Sequence, residues 1–262
     1  MTALVYIHLD TISNTVLTKG LTARDFQQGI VHQPKNLLLL NPTTELGEHE
    51  SHTALKIVRG TEAIQQFFQI SGRTRQTNEN KWIDFSDLNM LKELTPLEIS
   101  ELLYFGHMKT HLHSPFFYKL QNNFVYFELE SGLNRTYYRY IDEFYRILAL
   151  KITRFSLEKL NERRTFFRKT QPVEKLNYEL LKTLKEAMKE GLVFSFEDAS
   201  LKNNELQIPI LFADERTVLE RSFKLKQEYL LGYLTFHCEV QSWTLDLYDE
   251  LFDFHSKTMP FL

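Results

Sequence analysis

A chain of 262 residues with 43% hydrophobic and 25% charged residues has the composition of an ordinary globular protein, long enough for one large domain or two small ones. Its net charge of −3 supplies no global positive field of the kind that gathers nucleic acid or acidic membranes. The single cysteine, Cys238, excludes a disulfide framework and any cysteine-rich zinc module.

The N-terminus, MTALVYIHLD, has neither the basic start nor the apolar core of a secretory signal. Apolar residues nowhere run for the roughly 18 positions a membrane-spanning helix needs. The expectation is a cytoplasmic protein that does not enter the membrane.

The first hundred residues read as mixed structure. Strands are expected near Ala3 to Leu9, Asn36 to Leu40 and Ala54 to Val58, with a short helix from Ala23 to Ile30. Thr61 reads as the cap of the helix EAIQQFFQI, with Gly72 just past its end. The polar stretch 73–82 reads as a loop or linker, dividing an N-terminal α/β subdomain (1–72) from an α+β main domain (83–262), unless the two form one continuous domain. Two short helices follow. Asp84 or Ser86 starts the first, and Thr95-Pro96-Leu97-Glu98 starts the second as a capping box, with Leu97, Ile99, Leu102, Leu103 and Phe105 giving it a broad apolar surface.

Eleven aromatic residues fall between Phe116 and Tyr145. The pattern predicts a three-stranded antiparallel meander over about 116–141, turning at Asn122-Asn123 and at Gly132-Leu133. Alternation then assigns Phe116, Tyr118, Leu120, Val125, Phe127, Leu129, Thr136, Tyr138 and Tyr140 to a core face. The opposite face carries Tyr126, Glu128 and Glu130 against Arg135, Tyr137 and Arg139.

Beyond it, Asp142 caps a helix running toward Arg168, and Pro172 opens another, closed by Gly191. Strands are expected at Leu192 to Phe196, Leu206 to Phe212 and Tyr233 to Val240, with a closing helix around Leu245 to Phe252. Pro209 marks an edge strand. Strands in sequential runs between amphipathic helices predict an α+β fold with mostly antiparallel sheets, the second of them C-terminal.

Candidate chemistry is sparse. No glycine-rich nucleotide loop and no G-x-S-x-G elbow occurs. In FGHMKTHLHS, His107 and His111 stand four apart and share a helix face, with His113 two residues further on, which is half a site for a borderline metal and the basis of a metal-dependent hydrolase reading. The carboxylate of the HExxH pattern is absent, and three histidines at a helix end also serve simply to complement the dipole. His49 and His52 in GEHESH complete such a site only if folding brings them to His107. Cys238 alternates with apolar neighbours and reads as a structural thiol.

The expected partner-binding face comprises Tyr126, Arg135, Tyr137 and Arg139 with Arg163 and Arg164, since tyrosine and arginine are enriched at contact patches. The same residues could stack bases and contact phosphates, which is the nucleic-acid alternative. The leading expectation is a non-enzymatic, regulatory protein-binding module, acting on another protein or on itself, with no cofactor assigned.

Overall fold

The computed structural model describes residues 4–41, 45–71, 80–107, 115–129, 132–162, 170–219 and 229–248. In chain order these form β1 (Leu4–Asp10), β2 (Thr15–Lys19), α1 (Ala23–Gly29), β3 (Asn36–Leu39), β4 (Glu48–His49), β5 (Lys56–Arg59) and α2 (Thr61–Ser71). Then come β6 (Lys81–Phe85), α3 (Asn89–Lys92), α4 (Pro96–His107), β7 (Phe124–Glu128), β8 (Leu133–Tyr138) and α5 (Asp142–Asn161). The C-terminal part holds α6 (Tyr178–Lys182), α7 (Lys185–Glu190), β9 (Leu192–Ser195), β10 (Ser200–Lys202), β11 (Glu205–Phe212), α8 (Glu215–Leu219), β12 (Leu230–His237) and β13 (Ser242–Leu247). The class is α+β, with antiparallel strand pairing throughout the pairs described.

Two compact units divide the chain, Leu9–Leu148 and Met1–His8 with Ala149–Leu262. The expected linker at 73–82 falls mostly outside the described residues, and Lys81 already opens β6.

In the Leu9–Leu148 unit the strand order is β2-β8-β7-β6-β3-β5-β4. Helices and loops cover both faces. On one, Phe26 of α1 is the hub of a ring cluster, 5.1 Å from Phe124, 5.5 Å from Trp82 and 5.5 Å from Tyr126, with Phe68 of α2 and Tyr138 further out. On the other, Leu38, Ile57, Ile83, Phe85, Val125, Phe127 and Tyr137 pack with Leu91, Leu94, Leu102, Phe105 and Leu120. A strand covered on both faces reads as a continuous apolar run, and FVYF in β7 is one.

The meander is therefore corrected in three ways. Residues 116–120 form no strand: the chain turns at 118–121, where the Leu120 and Gln121 amides donate to the Phe117 carbonyl, and Gln121 takes φ 49°. The outer partner of β7 is β6, with Trp82 opposite Tyr126 and Ile83 opposite Val125. The β7–β8 register places Val125 opposite Tyr137 and Phe127 opposite Arg135, three residues from the expected pairing. An odd slip exchanges faces. Tyr137 thereby joins Val125 and Phe127 inside, and the expected solvent face does not exist.

The capping box of α4 forms as expected: the Thr95 amide donates to Glu98 Oε2 at 2.7 Å and the Glu98 amide to Thr95 Oγ1 at 3.3 Å. Leu102 and Phe105 face inward, whereas Leu97 is 70% exposed. Asp84 starts no helix but ends up buried inside β6.

In the second unit the order is β13-β12-β11-β9-β1, with β10 beside β11. Pro209 does not mark an edge strand, because β11 lies between β12 and the β9/β10 side. It is tolerated where β11's neighbour changes: β10 partners residues 205–207 and β9 residues 210–212. No helix opens at Pro172. The Gln171 amide donates to Asn161 Oδ1 and the Leu176 amide to Thr153 Oγ1, pinning this stretch along α5, and Asn177 instead caps α6. Of the helix expected over Leu245 to Phe252, residues 245–247 belong to strand β13, which pairs Trp243 with Phe236 and Leu245 with Leu234, and 249–252 lie outside the described residues. No described helix is long and apolar enough to cross a membrane.

Candidate functional site

Where β8 ends, the chain leaves the sheet at Arg139 and Tyr140 and enters α5 at Asp142. The Arg139 amide donates to the Asn123 carbonyl, so this exit is tied to the loop before β7. That loop is itself rigidly held. Asn122, wholly buried, accepts from the Phe117 amide and donates to the Pro115 and Phe124 carbonyls. Asp84 accepts from the Phe124 amide at 2.6 Å, the Asn123 amide at 2.9 Å and Asn123 Nδ2. Burial outweighs these bonds and pushes the Asp84 carboxyl up to about 6.

On this frame stands a ladder of four planar groups. His32 stacks on Tyr140 with ring centroids 4.8 Å apart and 23° between planes. The Arg139 guanidinium lies 5.8 Å from the Tyr140 ring and 5.0 Å from the Phe116 ring. The His32 side chain is 51% exposed and Tyr140 is 47% exposed.

Glu143, in the first turn of α5, orients the imidazole. Its side chain is 3% exposed and receives the Val31 amide at 2.7 Å, the His32 amide at 3.3 Å and His32 Nδ1 at 2.5 Å. With the carboxylate as acceptor Nδ1 carries the hydrogen, and Nε2 has no hydrogen-bond partner among the described residues. Sequence reading passed over this pair because 111 positions separate its members.

The sequence-predicted site residues scatter. Tyr126 is 3% exposed and Tyr137 7%, both inside the unit, and burial raises both phenols, Tyr126 well above its ordinary value. Arg135 lies opposite Phe127 and is half-buried. Among the described ones, only Arg139 reaches the ladder. Arg163, Arg164, His111 and His113 lie outside the described residues, and His107 is the last residue of α4. His49 sits exposed in β4, while His52 Nε2 is 2.9 Å from the Leu94 carbonyl. Among the described residues no group of three or more His, Cys, Asp and Glu side chains is placed to hold a metal ion. Cys238 lies in the turn after β12 and is half-buried, and burial raises its thiol.

In the other unit, His237 Nδ1 is 3.1 Å from Glu205 Oε1 and Nε2 is 2.9 Å from Thr244 Oγ1, which also donates to Asp246 Oδ2. Those distances suit a hydroxyl–imidazole–carboxylate relay. Their placement is that of a cross-strand ladder: Glu205 and His237 are directly opposite on β11 and β12, and the threonine ties in edge strand β13.

No family model, curated protein or solved structure matches the chain.

Proposed function

We propose that the protein works by binding another protein, and that the contact is the face formed by His32, Tyr140, Arg139 and Phe116. What supports the reading is the half-exposed stack of three rings and a guanidinium on a frame of saturated buried polar groups. Tyrosine and arginine recur as the residues that dominate interface energies, and a stack held in place before binding loses little side-chain entropy on contact. Val31, 60% exposed beside His32, extends the face with apolar surface.

The test is cross-linked capture from the native host's extract by wild-type protein and by the double variant R139A/Y140A, with mass spectrometry of what is retained. A partner retained by the wild type and lost from the folded double variant is the expected result. Equal retention by both would remove this face from the reading.

A further inference from the structure

The ladder has more hydrogen-bond donors than it can use. Glu143 accepts from two amides and an imidazole, and Asp84 accepts from two amides and a carboxamide, so each of these buried carboxyl groups is already engaged by three donors. Arg139 meets Gln121 only through Nη1, at 3.5 Å to both the backbone carbonyl and Oε1. Such contacts lie at the outer limit of a hydrogen bond. Its Nε and Nη2 and the Tyr140 hydroxyl have no hydrogen-bond partner among the described residues.

From this surplus we infer that the face recognises an acidic segment of its partner, a Glu/Asp carboxylate engaging Arg139 with the Tyr140 hydroxyl beside it. A guanidinium offers two parallel N–H groups at the spacing of carboxylate oxygens, and that of Arg139 is flanked by the Phe116 and Tyr140 rings, 5.0 and 5.8 Å from their centroids. Partners that bring only donors leave these groups desolvated and unpaired, which disfavours them. The inference rests on the binding reading above and specifies the chemistry of that same face.

The experiment uses fluorescence anisotropy of a labelled alternating Glu-Ala peptide, its Gln-Ala counterpart and a version with phosphoserine in place of glutamate. Wild-type protein is expected to bind the Glu peptide, more weakly as salt rises, and to ignore the Gln peptide. R139A should lose about tenfold in affinity, equivalent to about 1.4 kcal/mol. Q121E places a carboxylate of the chain's own against Arg139 and should weaken binding while leaving the donors of Arg139 and Tyr140 in place; the donor it removes, Gln121 Nε2, serves the Tyr118 carbonyl. Equal binding of the Gln peptide, an unaffected R139A or an unaffected Q121E would overturn the inference. Tighter binding of the phosphoserine peptide would overturn the choice of carboxylate. If the Glu peptide fails while R139A/Y140A still loses its captured partner, the face stands and only the acidic class falls.

Discussion

The imidazole of His32 lies nearly parallel to the phenol ring of Tyr140, with centroids 4.8 Å apart, although 108 positions separate the two residues in the sequence. The stack exists because Glu143, one turn beyond Tyr140, takes both the His32 ring and the backbone amides of Val31 and His32.

Glu143 is therefore expected to matter more to stability than the exposed rings it supports. E143A leaves two amides without an acceptor, at about 1 to 3 kcal/mol apiece where they are shielded from water. H32A removes a half-exposed ring and should cost under about 1 kcal/mol. Urea denaturation of both variants measures the order; a costlier H32A would contradict the role given to the carboxylate.

Asp84 predicts a pH dependence of definite sign. Its folded-state pKa is raised to about 6 from 3.8, chiefly by burial, so its contribution is full below the unfolded value and is lost as pH rises through about 6. The whole span amounts to about 3 kcal/mol. D84N keeps an oxygen for the Phe124 and Asn123 amides and carries no charge. Its stability relative to wild type should rise between about pH 4 and pH 6 and then level off, as denaturant midpoints across that range would report. A flat difference would refute the assignment.

Tyr126 and Arg139 separate the inside of this sheet from its outside. Tyr126 stacks on Trp82 with centroids 5.3 Å apart and touches Phe26, so Y126A should destabilise by about 3 to 5 kcal/mol. R139A should cost less than about 1 kcal/mol. Thermal or chemical unfolding decides, and equal costs would mean that Tyr126 is not buried.

Gly29 is a site of close approach. A Cβ there would meet Ile147 Cγ1 at 2.6 Å and Ile147 Cα at 2.7 Å. G29A is expected to destabilise by about 1 to 3 kcal/mol. Adding I147A should restore only part of that loss, because the conflict with backbone remains; full recovery in the double variant would place the clash in the side chain alone.

Local chemistry made several elements legible. The capping box at Thr95 and Glu98 forms from residues within one turn, and alternation along LVYIHLD and ELQIPILF sufficed for β1 and β11. The signals that failed were those whose meaning depends on distant residues. KWIDF was lost beside a polar stretch, yet it is the strand that pairs with β7, and without it Phe116 to Leu120 looked like the missing neighbour. Leu245 to Leu247, expected to open a helix, instead end strand β13 because β12 offers them a ladder. Of the expected contact residues, Arg139 alone could be placed on the candidate face; Phe116, Tyr140 and His32 join it through contacts no spacing announces.

By itself, the sequence determined the α+β class, the antiparallel pairing and the starts of α1, α2, α4 and α5, because these follow from side-chain period and from caps a few residues long. The tertiary structure decided which aromatic residues are core and which form a surface. A strand's two faces are equivalent until helices cover them, and a register slip of one or three residues exchanges them. Only the packing of α1 and α2 on one side and α3 and α4 on the other puts Tyr126 and Tyr137 inside while leaving Tyr140 and His32 half in water.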